Sequence, residues 1–120
     1  MSLSTPYHFT ESRLWQKAMD MAIGVNHVMR SFPEKERQTG GICCPLLEAA
    51  ICVSARIAES HQPFMRNSNE LLQQANFHLT ATEQLIVLAQ MQGYLSYTEW
   101  DRMHDICLEL RGLIFQEMHA

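Results

Sequence analysis

Glycine and proline are scarce in this chain, five and four among 120 residues, and most of them fall between long periodic stretches. That argues against a turn-rich β protein and for helices. The four cysteines, Cys43, Cys44, Cys52 and Cys107, include no Cys-x-x-Cys pair. They read as reduced, packed thiols of a cytoplasmic chain, not as a disulfide framework. Positive charge is short: nine Lys and Arg face thirteen Asp and Glu, for a net charge of -4. A general nucleic-acid binder carries a basic surface, so only a local basic patch remains open. No apolar run approaches the roughly 18 residues that cross a bilayer, so no membrane association is expected. The start "MSLSTPYHFTES" has no basic region followed by an apolar one, so no secretory signal is expected.

Catalytic signatures are missing too. No Glu-x-x-His occurs, which argues against the di-iron site of helical bundles. "TGGICC" lacks the Gly-Lys-Ser/Thr ending of a phosphate loop. Ser54 and Cys52 have no glycine-rich elbow. Asp101, His104 and Cys107 lie three apart, but successive steps of three rotate backwards around a helix, so one ion could hardly take all three. No cofactor and no enzymatic activity are expected.

What is present is apolar periodicity, within a composition that is 47% apolar. Four helices are predicted, at about 11–30, 44–61, 68–92 and 98–118. The first carries Trp15, Ala18, Met19, Ala22, Val25 and Met29 at spacings of three and four. Thr10 is its expected cap, and Pro33 with Gly40-Gly41 its stop. Pro45 suits the first turn of the second helix, and Pro63 marks its end. The third carries Leu71, Leu72, Ala75, Leu79, Thr82, Leu85, Ile86 and Ala89, with Asn67 or Ser68 as cap and Gly93 as stop. The fourth carries Met103, Ile106, Cys107, Leu110, Leu113 and Ile114, with Thr98 as cap. Four helices on short loops predict an all-α, antiparallel up-and-down four-helix bundle, a single domain over 1–120.

The second helix, "LLEAAICVSARIAESHQ", is lined with Ala, Cys and Ser. Small residues let neighbouring backbones approach, with Trp15, Phe77, Trp100 and Phe115 expected to fill the space. This helix should be the most buried, covered on one side by the bundle and on the other by another subunit; the alternative is a single buried face with an alanine-rich outer one. With "LWQKAMDMA" (14–22), "SFPEKER" (31–37), "AAICVSARIAES" (49–60) and "ATEQLIVLAQMQGYLS" (81–96), the chain resembles the four-helix-bundle family of the ribosomal-RNA intervening-sequence proteins. It is similar in the same way to the accessory variability determinant of diversity-generating retroelements. The resemblance implies a homopentameric barrel of such bundles. For the retroelement accessory protein it implies binding to RNA or DNA and to a reverse transcriptase. Leu47 and Glu48 stand where the family usually carries two basic residues.

The expected function is a non-enzymatic oligomeric scaffold or adapter, and the resemblance implies that it contacts nucleic acid or a reverse transcriptase. The alternative is a module that binds protein only. Candidate phosphate contacts are Arg13, Lys17, Arg30, Lys35, Arg37 and Arg66. Arg30, Lys35 and Arg37 cluster around the first loop, where Glu34 and Glu36 alternate with them and nearly cancel them. Candidate subunit-interface residues are Arg56 with Glu59, three apart on one helix, and the acidic stripe Asp101, Asp105 and Glu109. That stripe and the shorter basic one, Arg13 and Lys17, are either two ordinary solvated faces or each face opposite charge on a neighbouring helix, in the same chain or the next subunit.

Overall fold

A computed structural model describes residues 8–120. Its long helices are α1 (Arg13–Met29), α3 (Cys43–Ser60), α4 (Ser68–Met91) and α5 (Tyr97–Met118). A single turn, α2 (Glu34–Arg37), lies between the first two, and a short 3-10 turn (Phe9–Glu11) precedes α1. No strand occurs among the described residues.

Local chemistry sets the boundaries. Thr10 is not the cap of α1, because it lies inside the 3-10 turn. Ser12 takes that place, its Oγ accepting the Trp15 N–H at 3.1 Å. Thr98 is likewise not the cap of α5. Ser96 is followed three residues on by Glu99, and the two close a capping box: Ser96 Oγ accepts the Glu99 N–H at 3.1 Å, and the Glu99 carboxylate accepts the Ser96 N–H at 3.0 Å. Asn67 holds the N-cap position of α4 without a side-chain hydrogen bond. Gly93, at φ +81°, ends α4. The Tyr94 N–H reaches the Ala89 carbonyl and the Gly93 N–H that of Gln90, at 2.9 and 3.0 Å, which makes a Schellman motif.

The loop after α1 is folded back on itself. Phe32 is buried against the Tyr94 ring, with centroids 5.6 Å apart. Glu36 is the pin: one carboxylate oxygen accepts the Tyr94 hydroxyl at 2.7 Å, the other the Ile42 N–H at 3.2 Å. Gly41 is required here, because a Cβ would collide with the Glu36 backbone.

The four long helices close a ring, with α3 against α1 and α4, and α5 against α4 and α1. The body measures 51 × 25 × 25 Å. One core runs through it, including Met21, Val25, Leu46, Val53, Ile57, Leu72, Leu79, Met103, Leu110 and Ile114. As the small side chains predict, α3 is the least exposed long helix; only Cys44, Pro45, Glu48 and Ile51 are open to solvent. The expected space-fillers divide. Trp15 and Trp100 pack against the core, whereas Phe77 and Phe115 are 70% and 62% exposed. Leu79 and Leu72 on α4, and Leu110 and Ile114 on α5, take the interior positions instead, since Phe77 and Phe115 fall on the outward sides of their helices.

Candidate interaction site

The outward side of α4 is unusually apolar. Ala81, Leu85, Leu88 and Met91 recur at spacings of three and four and, with Gln84 and Val87, line a trough of about 630 Å³. Leu88 is 40% and Met91 75% exposed. On α3, the helix that α4 packs against most, the outward side carries the exposed Ile51 beside half-buried Cys52 and Ala55. Small residues there keep that side of α3 low. Apolar area left open in this way gains roughly 25 cal/mol for each Å² another surface covers.

The expected interface charges have definite places. Arg56 and Glu59 form an ion pair on α3, both partly exposed. Glu109 pairs with Lys17 at 2.9 Å, so the basic stripe of α1 meets the acidic stripe of α5 within one chain. An exposed pair of this kind contributes about 0.2–1 kcal/mol. Asp101 and Asp105 remain exposed. A network the sequence reading missed joins α4 to α5: Arg111 pairs with Glu83 and donates to the Asn76 side-chain oxygen Oδ1 at 3.2 Å. The sequence signal was present, since Glu83 follows core Thr82 and Arg111 follows core Leu110, each at the margin of its stripe.

The six cationic candidates do not form one patch. Lys17 is held by Glu109. Arg13 opens α1, and α1 is about 25 Å long at 1.5 Å per residue, so it lies far from Arg30 at the other end. Arg66 is exposed in the loop between α3 and α4, near the Arg13 end, where Ser12 Oγ lies 3.4 Å from His61 Nε2. Arg30, Lys35 and Arg37 are exposed together at the opposite end.

The thiols are free. A thiol near a helix N-terminus often ionises easily, but Cys43 does the reverse: burial pushes it up, with Arg37 pulling down and Glu36 pushing up more weakly. Burial also lifts Cys107, to about 12. The hydrogen bond to Glu36 raises the Tyr94 hydroxyl above its usual value, with burial adding to it. Among the described residues no three His, Cys, Asp or Glu side chains converge as a metal site would require. Among the described residues no helix is long and apolar enough to cross a membrane.

Fold and surface together define a small all-helical protein whose most distinctive feature is an open apolar face. The chain belongs to the family described as 23S rRNA-intervening sequence protein, whose sequence model matches residues 10–116. No curated protein matches the chain.

Proposed function

We propose that this chain is one subunit of a homo-oligomeric, non-enzymatic scaffold that works in the cytoplasm. The observation that carries this reading is the open apolar trough of Ala81, Leu85, Leu88 and Met91 on α4. A second copy of the chain is its occupant, and the pentameric barrel implied by the family resemblance is the assembly. The partner is nucleic acid, met by the basic end of the bundle at Arg30, Lys35 and Arg37, with a reverse transcriptase as the protein it would serve. A protein-only partner is the competing reading. It is favoured by the exposed acids Asp101 and Asp105 and by Leu108 and Phe115, 60% and 62% exposed, all on α5.

Light scattering after size exclusion tests the assembly. The expected mass is five times the 13.8 kDa of one chain, falling to that of one chain in Leu88→Asp with helicity retained. A monomeric wild-type chain at concentrations of about 50 μM, where interfaces of standard size are saturated, would overturn the scaffold reading. Fluorescence anisotropy with labelled RNA and DNA tests the partner. Binding that weakens steeply with salt supports phosphate contacts, and no binding at low salt leaves the protein-only reading.

A further inference from the structure

The alternation Glu34, Lys35, Glu36, Arg37 balances charge along the first loop, but in three dimensions its members have different partners. Glu36 is held in its clamp with the Tyr94 hydroxyl and the Ile42 N–H, and its charge still acts on Cys43. Its two carboxylate oxygens are therefore both engaged. Arg37, the next residue, lines a concave pocket of about 290 Å³. Arg30, the residue that ends α1, lines the same pocket. Neither guanidinium makes an ion pair among the described residues, and no carboxylate lines the pocket with them. Two like charges at one concavity make it locally positive, which favours an anion there.

The rest of the lining has a second character. Asn26 adds a side-chain amide, while Met29, Leu47 and Cys43 add an apolar wall. The volume is at the lower end of what small-molecule sites enclose, about 300 Å³ and upward. It exceeds what a bare oxyanion needs. Guanidinium groups pair with phosphate oxygens through two parallel N–H bonds, and Asn supplies a further donor. The first two amides of α3, Cys43 and Cys44, border the pocket and have no backbone acceptor.

We infer that the pocket between the end of α1, α2 and the start of α3 binds a phosphomonoester, with Arg30 and Arg37 on the phosphate and Met29 and Leu47 against the group that carries it. The inference rests on the nucleic-acid half of the reading above and deepens it, because the terminal phosphate of a strand has this chemistry. It does not need the oligomer. A free mononucleotide shares the chemistry and is the other source.

Amide chemical-shift titration with a nucleoside 5′-monophosphate, the matching nucleoside, and one oligonucleotide with and without a 5′-phosphate tests it. Saturable shifts at Cys43 and Cys44 are expected with the phosphorylated ligands and not with the nucleoside. Arg30→Gln and Arg37→Gln should each weaken binding about tenfold, as loss of a charge-assisted pair does. Both sites are exposed, so the variants keep their fold. Tighter binding of the 5′-phosphorylated strand than of the mononucleotide identifies a strand end, and equal binding identifies a small phosphate. Shifts with neither phosphorylated ligand, or equal affinity in both variants, overturn the inference. Salt-sensitive binding of the 5′-hydroxyl strand alone would leave the nucleic-acid reading standing while the pocket assignment fails.

Discussion

Cys107 is fully buried on α5, and desolvation lifts its thiol from the ordinary 9.0 up to about 12. A raised value in the folded chain favours the neutral thiol. Its contribution to stability is therefore complete below pH 9 and disappears as pH rises from 9 towards 12. Cys44, the residue after the buried Cys43, is exposed. Only thiolate at an accessible site is alkylated quickly. Iodoacetamide at pH 8 should thus modify Cys44 first and Cys107 last, as read by mass spectrometry of tryptic peptides. Equal labelling rates in the native protein would show that the core around Cys107 opens far more readily than its burial implies. The same single-residue view explains Gly41, which the chain needs because the Glu36 backbone fills the space where a Cβ would be.

Each long helix was legible from its apolar period, and the reason is physical: burial rewards one face, and a face recurs every 3.6 residues. Of the predicted α4 stripe, Leu71, Leu72, Ala75, Leu79, Thr82, Ile86 and Ala89 are buried and Leu85 is half-buried. Ends were less legible, because several Ser and Thr residues compete for each cap. Ser12 and Ser96 prevailed over Thr10 and Thr98. At Ser96 the deciding partner is Glu99, three residues on, which closes the box. Ser96→Ala removes the side-chain half of that reciprocal bond, the hydroxyl that accepts the Glu99 N–H, and should cost about 1 kcal/mol. Thr98→Ala should cost much less. Urea melts of the two variants distinguish them, and equal losses would refute the assignment. The candidate site was the least legible part. Outward Leu88 and Met91 repeat with Ala81 and Leu85 at the same spacings as the core stripe of their helix, so period alone does not tell the open face from the buried one, and the placing of Glu36 depends on Tyr94, 58 residues away.

At the scale of the molecule, the ring has one join between the first and last long helices. Lys17 reaches Glu109 across it, and Gly24 lets Met103 come within 3.1 Å of where a Cβ would stand. The other joins link helices that are neighbours along the chain. Joining the ends of a long segment costs more configurational entropy than joining neighbours. The order of assembly follows: α3 and α4 pair early, and α1 and α5 zip together after the main barrier. Met103→Ala should then chiefly accelerate unfolding, while Val53→Ala, inside α3, should chiefly slow folding. Stopped-flow chevrons of the dilute chain would reveal the opposite pattern if the first and last helices met early. A late join is also the first to loosen, so exchange of protected amides on the α1–α5 side should run ahead of that on α3 and α4.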